Sequence, residues 1–174
     1  MKSLLIYGVR ISHKFLVVAM STILLSACTT DGGVDPMVNS ATESSANPAV
    51  SGAKGAKPTI SAPVGNPPTT LTKTDIFEGD GKEAVATSTL EVHYTLMAWS
   101  TGVLVESSWD SGQTATFPLS GVIAGWQQGI PGMKEGGRRL LVIPPDLGYG
   151  AQGAGGAIGP NETLIFVVDL ISVL

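Results

Sequence analysis

The sequence predicts an α+β fold for residues 72–174, with short antiparallel strands and one short helix, preceded by a disordered tether. Two observations predict the sheet: apolar and polar residues alternate over short segments, and Gly-rich turns separate those segments. This pattern is absent before residue 72, which predicts that the preceding chain has no packed core. The content of 22 Gly and 11 Pro in 174 residues agrees with a chain that packs only in part.

Three segments are predicted to be β-strands. In the first, Leu90, Val92 and Tyr94 fall on one face, while Glu91 and His93 fall on the other. The second strand covers residues 138–143 and ends before two prolines. The third covers residues 163–173, with these residues on one side: Leu164, Phe166, Val168 and Leu170.

The one predicted helix is short and runs from Ala124 to Ile130. Gly129, Pro131 and Gly132 end it, because glycine is a poor helix former and proline cannot continue a helix.

The first 27 residues have the features of an export signal. They contain Lys2, Arg10 and Lys14 and no acidic residue, and an apolar run from Phe15 to Leu25 follows. This run is short for a membrane span. Without the segment the chain has 7 basic and 14 acidic residues, a formal charge of −7, which argues against a nucleic-acid partner.

Cys28 is the only cysteine and follows the apolar run directly. Residues 25–28, Leu-Ser-Ala-Cys, resemble the bacterial lipobox, in which the signal peptide is cut before a cysteine that becomes lipid-modified. The alternative is an ordinary signal peptide with a chance cysteine. The resemblance implies attachment to a membrane through lipidated Cys28, since acyl chains contribute about 0.8 kcal/mol per buried methylene. Thr29 stands where enterobacterial lipoproteins retained at the inner membrane have Asp, so the expected location is the cell envelope, at the outer membrane, facing the periplasm or the surface.

Residues 28–71 are predicted to form the lipidated N-terminus and a disordered tether. They consist mostly of Ser, Thr, Ala, Gly, Pro and Asn, so they cannot bury enough apolar surface to offset the entropy cost of ordering. Several prolines favour extended conformers: Pro36, Pro48, Pro58, Pro63, Pro67 and Pro68. The alternative is a separate domain. The predicted organisation is therefore a signal peptide at 1–27, a tether at 28–71 and a folded domain at 72–174.

Four segments between residues 75 and 174 contain recognisable motifs. Residues 122–137 read VIAGWQQGIPGMKEGG and residues 143–150 read IPPDLGYG, while VHYT at 92–95 and LIFVVDL at 164–170 flank them in order. Together they resemble the FKBP-type peptidyl-prolyl cis/trans isomerases. The resemblance implies a strongly twisted antiparallel sheet wrapped over one short helix. It also implies isomerisation of X-Pro bonds during the folding of exported or surface proteins, with proline-containing polypeptides as partners and macrolide inhibitors as further ligands.

Isomerisation of an X-Pro bond needs no covalent step. Amide resonance sets a barrier of roughly 18–20 kcal/mol, and an apolar cavity that grips the proline ring and favours the twisted amide lowers it. Neither a cofactor nor a metal is expected. His93 is the only histidine after residue 27 and has no second ligand nearby in sequence, which argues against a metal site.

The family resemblance implies a set of site residues. Trp126 is the floor of the pocket, and the Ile123 backbone N–H and the Tyr149 hydroxyl bind substrate carbonyls. The residues expected to be catalytic are Tyr94, Glu106, Ile123, Trp126 and Tyr149. Those expected to bind substrate are Val105, Phe117, Val122, Ile158 and Phe166. The alternative is that these side chains only pack the core of a small β domain.

The sequence departs from the family pattern at Val105, Glu106 and Ala115. The first two replace a usual Phe-Asp pair and follow an apparent one-residue insertion within 96–102. Val105 removes an aromatic wall, Glu106 extends its carboxylate by one methylene, and Ala115 widens the cavity. A prolyl-peptide-binding module or chaperone with weak or no turnover is therefore the alternative function, and a surface adhesion or virulence factor is a third hypothesis.

Trp99 and Trp109 lie in this altered region. An exposed indole there would contact a partner, or it would cover the sheet edge, and the second interpretation is preferred. Ala151 to Gly159 resembles the loop that overhangs the pocket in the family, and its small side chains favour permissive recognition.

Overall fold

The computed structural model describes residues 47–174. The predicted signal peptide at 1–27, the predicted lipidation at Cys28 and the tether up to residue 46 lie outside the described residues. Within 47–174, no helix has the length and apolar character needed to cross a membrane.

The described chain forms a main sheet, a small hairpin and one α-helix. The hairpin pairs β1 (Val50–Ser51) with β2 (Thr59–Ile60). The main sheet contains β3 (Thr72–Phe77), β4 (Thr89–Ala98), β5 (Leu104–Ser107), β6 (Ala115–Pro118), β7 (Arg138–Ile143) and β8 (Leu164–Val173). Its strand order is β3-β7-β8-β4-β5, with β6 also paired to β4, and every pair is antiparallel. The helix, α1, covers Ala124–Gly129.

The predicted α+β fold, an antiparallel sheet with one short helix, is confirmed. The strand predicted over residues 138–143 is β7 with the same bounds, and α1 ends one residue before the predicted end. The buried side chain of Arg139 caps this end, since its Nη1 donates to the Gly129 carbonyl at 2.8 Å. The arginine satisfies a carbonyl that the terminated helix would otherwise leave without a partner.

The two faces of the sheet belong to two hydrophobic clusters. The predicted apolar face of β8, from Leu164 to Leu170, packs in the main cluster together with Trp126 of α1. The residues between them, Ile165 and Val167, belong to an outer cluster on the opposite face. The sheet is therefore buried on both sides at its centre.

A segment that we call the strap, residues 47–61, covers part of the outer face. Ile60 is only 7% exposed and packs in the outer cluster, with Val50 beside it. The Arg138 side chain, which is fully buried, donates from Nη2 to the Ala56 carbonyl at 2.6 Å and from Nε to Asp169 at 2.8 Å. The strap is thus held by apolar packing and by hydrogen bonds to the sheet.

The structure here differs from the tether predicted over residues 28–71. The few apolar side chains of the strap do not form a core of their own, which is why composition favoured disorder. They are buried against a surface that the sheet supplies. The compact part of the chain therefore begins before residue 72 and includes the strap.

Trp99 and Trp109 both pack on the sheet. Trp99 is 7% exposed and lies in the outer cluster. Trp109 stacks on His93, with ring centroids 3.9 Å apart, and the His93 Nδ1 lies 2.9 Å from the Ser108 hydroxyl. These contacts agree with the preferred interpretation, in which the indoles cover the sheet.

Candidate functional site

An apolar cavity of about 300 Å³ opens between α1 and the inner face of the sheet. Eight of the ten predicted pocket residues line it: Tyr94, Glu106, Phe117, Val122, Ile123, Trp126, Tyr149 and Phe166. Leu96 and Gly121 also line it and were not predicted. Leu96 could have been found, because it continues the apolar face of Leu90, Val92 and Tyr94. Gly121 offers no side-chain signal.

Trp126 forms the floor of the cavity and is 4% exposed. Its ring meets three aromatic rings nearly at right angles, with centroids 5.4 Å away at Phe166 and 6.0 Å away at Tyr94 and at Phe117. Such edge-to-face pairs contribute about 0.5–1.5 kcal/mol each beyond area burial. Four rings therefore hold one another in a fixed apolar box.

The absence of a side chain at Gly125 determines the position of Trp126. A Cβ atom at this position would lie 2.4 Å from Cγ2 of Ile143, so only glycine lets α1 approach β7 this closely. The close approach presses the next residue, Trp126, against the inner face of the sheet. Within residues 47–174 the buried Trp126 Nε1 has no hydrogen-bond partner, so the floor also presents an unpaired donor.

Tyr94 and Glu106 form the main polar contact of the cavity. The Tyr94 hydroxyl donates to Oε1 of Glu106 at 2.6 Å. Burial raises the pKa of the Tyr94 hydroxyl, and its hydrogen bond to Glu106 raises that pKa further. Tyr94 therefore keeps its proton across the physiological range. Although Glu106 is one methylene longer than the aspartate usual in the resembled family, its carboxylate still accepts the Tyr94 hydrogen bond.

Ile123 supplies a backbone donor beside the floor. Its carbonyl accepts hydrogen bonds from the N–H groups of Trp126 and Gln127 at 3.0 and 3.2 Å, which begin α1. The Gln127 side chain donates to the Val122 carbonyl at 2.8 Å and fixes the preceding peptide. Among the described residues, no partner is found for the Ile123 N–H, which leaves it available to a ligand.

Tyr149 stands at the rim of the cavity. It is 40% exposed and follows the short 3-10 turn Pro145–Leu147, which positions it after the end of β7. Its hydroxyl is therefore accessible to a polypeptide that enters the cavity.

Two predicted residues, Val105 and Ile158, lie outside the cavity lining. Leu96 pairs with Glu106 and Met97 pairs with Leu104, so Val105 is the extra residue of a β-bulge. Its side chain therefore does not follow the regular alternation of the strand. It packs against the main cluster from the side, and Ile158 is 8% exposed within that cluster. Both support the cavity wall without forming it. Ala115 on β6 pairs with Val92 on β4 and is likewise outside the lining.

The arrangement suits the binding of a ring and a carbonyl. The lining combines five aromatic side chains with one carboxylate, and that carboxylate already accepts a hydrogen bond from the Tyr94 hydroxyl. A five-membered apolar ring can lie on Trp126 while an adjacent carbonyl accepts from the Ile123 N–H.

Comparison with known proteins identifies the family. Residues 81–171 match the family model described as FKBP-type peptidyl-prolyl cis-trans isomerase. A probable FK506-binding protein of Corynebacterium glutamicum is 53% identical over 116 residues, which cover 67% of this chain and 98% of that protein. An FK506-binding protein of Streptomyces anulatus is 52% identical over 120 residues, 67% of this chain and 97% of that protein.

The fold is also similar to that of solved structures. A crystal structure of a peptidyl-prolyl cis-trans isomerase from Pseudomonas syringae is 35% identical, with a TM-score of 0.54 over 59% of this chain and 74% of that one. The prediction made from four sequence motifs is thus confirmed, and the chain belongs to the family of FKBP-type peptidyl-prolyl cis-trans isomerases.

Proposed function

We propose that this isomerase acts on X-Pro bonds of polypeptides that fold outside the cytoplasm, while it is attached to a membrane through lipidated Cys28. The observation that supports the activity is the aromatic box over Trp126 with the unpaired Ile123 N–H beside it. The location is supported by the basic and apolar segment at 1–27 and the cysteine that follows it.

Catalysis in this cavity works by favouring the twisted amide. The proline ring lies against Trp126, and the carbonyl next to it accepts a hydrogen bond from the Ile123 N–H. Around the amide the walls are apolar, and the twisted amide is less polar than the planar ground state, so the cavity binds it better. The Tyr94 hydroxyl donates a hydrogen bond to Glu106, and this bond fixes the Tyr94 ring as a wall of the cavity.

A prolyl-peptide-binding module with weak turnover is the second candidate. It is favoured by the position of Val105 in the bulge and by Ala115, since neither residue contributes a wall to the cavity. A short Tyr94–Glu106 hydrogen bond favours the active enzyme, because the polar contact of the cavity is intact.

Refolding of a protein whose slow step is proline isomerisation distinguishes the two candidates. We expect the full chain to accelerate this step and an FK506-type macrolide to suppress the acceleration by filling the cavity. Binding of a prolyl peptide without acceleration, followed by gain of acceleration in the double variant Val105→Phe/Glu106→Asp, would instead support the binding module.

Metabolic labelling with palmitate in bacteria tests the anchor. We expect label in the wild-type chain and its loss in Cys28→Ala, with Ser26→Thr, a nearby change that keeps the thiol, as the matched control. A wild-type chain without label, or label that persists in Cys28→Ala, would contradict lipidation. Thr29→Asp tests the outer-membrane assignment, since we expect this variant to move to the inner-membrane fraction of an enterobacterial host.

A further inference from the structure

A second concave surface lies beside the proline cavity, between the β4–β5 turn and the Gly-rich loop that follows Tyr149. We call it the flanking groove. It has a volume of about 490 Å³ and is lined mainly by small and apolar residues, including Ala98, Val103, Leu104, Val105 and Ala157. Val103 and Leu104 are 59% and 42% exposed, which is high for aliphatic side chains that sit next to each other.

The flanking groove continues the cavity along the same two strands. Leu96 and Glu106, which line the cavity, are paired across β4 and β5, and Met97 pairs with Leu104 directly after them. The next residue, Ala98, donates to the Val103 carbonyl at 3.1 Å. Because side chains alternate along a strand, Leu96 and Ala98 face the same side of the sheet.

The spacing indicates which part of a substrate would reach the groove. Leu96 and Ala98 are two positions apart, roughly 6–7 Å at about 3.3 Å per strand residue. An extended polypeptide advances by about the same distance per residue. A chain whose proline occupies the cavity therefore brings a side chain about two positions away to the groove.

The charges of this surface are all negative. Glu162 is the one charged residue in the groove lining, and it is held by Ser100, whose N–H and hydroxyl donate to the carboxylate at 2.9 and 2.5 Å. Glu106 is the one charged residue in the cavity lining. An acidic side chain brought to the groove would lie beside the Glu162 carboxylate, and among the described residues no cation lines the groove or the cavity to offset the repulsion.

We propose that the flanking groove is an accessory substrate subsite, which binds an apolar side chain about two residues from the isomerised proline and disfavours an acidic one. The subsite rests on the proposed isomerase function of the cavity. In this proposal, Val103 and Leu104 help to determine which prolines of a polypeptide are isomerised.

The test uses the full chain and a series of short peptides with one proline and otherwise alanine. A single leucine is moved through three positions on each side of the proline, and kcat/KM is measured for each peptide. We expect leucine two positions away, on one side, to raise kcat/KM about tenfold, the gain expected from partial burial of its side chain. Glutamate at that position should lower it below the alanine value.

Variants of the groove separate this contact from general effects on the enzyme. Leu104→Asp should abolish the leucine advantage, measured as the ratio of kcat/KM for the leucine peptide to kcat/KM for the all-alanine peptide. Leu104→Lys should shift the preference from leucine to glutamate. Val85→Asp changes a valine that is 53% exposed and lines neither the groove nor the cavity, so it should keep the leucine advantage.

Several outcomes would overturn the subsite. These are a leucine advantage that is unchanged in Leu104→Asp, an advantage that is absent two positions from the proline, or a Leu104→Lys variant that does not favour glutamate. If the wild-type chain shows no turnover, the isomerase function fails separately, and the same peptide series is then measured by calorimetric binding. A leucine-dependent affinity that is lost in Leu104→Asp supports the subsite in that case, and its absence refutes it.

Discussion

The strap offers a direct test of where the folded domain begins, through the variant Ile60→Ala. Ile60 is 7% exposed and contributes to the outer cluster, so its truncation removes buried methyl and methylene groups and leaves a cavity. Buried Ile→Ala changes cost about 2–5 kcal/mol. Since β2 has only two residues and can relax toward the sheet, we expect the lower part of this range, about 2–3 kcal/mol.

Urea unfolding of the full chain measures this loss in the free energy of unfolding. Val64→Ala is the matched control, because Val64 lies four residues further along the chain, just after the strap, and is 72% exposed. The control should change the free energy by no more than about 0.5 kcal/mol. Below the unfolding transition, kcat/KM of Ile60→Ala should equal the wild-type value, because Ile60 and Trp126 belong to clusters on opposite faces of the sheet.

An Ile60→Ala variant as stable as Val64→Ala would refute this reasoning. The strap would then contribute nothing to the fold, and residues 47–61 would behave as the tether that their composition suggests.

Three further predictions concern the sheet and the helix. Gly125→Ala should lower the free energy of unfolding by about 1–3 kcal/mol, because the new methyl group overlaps Ile143, whereas Gly159→Ala, with open space around it, should change thermal unfolding little. Arg138→Met should lower the free energy of unfolding in urea by about 3–5 kcal/mol, since it leaves the buried Asp169 without its ion-pair partner. Adding Asp169→Leu should recover most of this loss. No recovery would contradict the role given to the Arg138–Asp169 pair. Backbone N–H groups of Val173 and Lys82 lower the pKa of Glu135, so its contribution to stability is present above the ordinary glutamate pKa of about 4.3 and is lost as the pH falls through the lowered value. Between pH 6 and pH 3, Glu135→Gln should therefore lose less stability than the wild type, and equal losses would show that Glu135 is not involved.

The sequence predicted those structural features that depend on a single strand or a single turn. The bounds of β7 and the alternation of β8 follow from apolar periodicity and from the prolines after β7. The end of α1 follows from Gly129 and Pro131 within one residue. Motif resemblance located most of the cavity lining, because the motif residues on α1 and beside it are also those that face the cavity.

Contacts between segments that are far apart in the chain could not be predicted from one sequence. Ile60 is an isolated apolar residue in a proline-rich stretch, and only the outer face of the sheet makes it part of a core. Val105 left the cavity because a bulge in β5 shifts the alternation, and a bulge depends on the pairing of two strands. The Trp109–His93 stack likewise joins β4 to the turn after β5.

The position of β8 constrains when this domain can fold. Strand β8 begins at Leu164 and lies between β7 and β4, which do not pair with each other. During synthesis the N-terminal part of the chain emerges first, and β4 and β7 have no common neighbour until residues 164–173 follow. The central part of the sheet can therefore form only after these residues have left the ribosome.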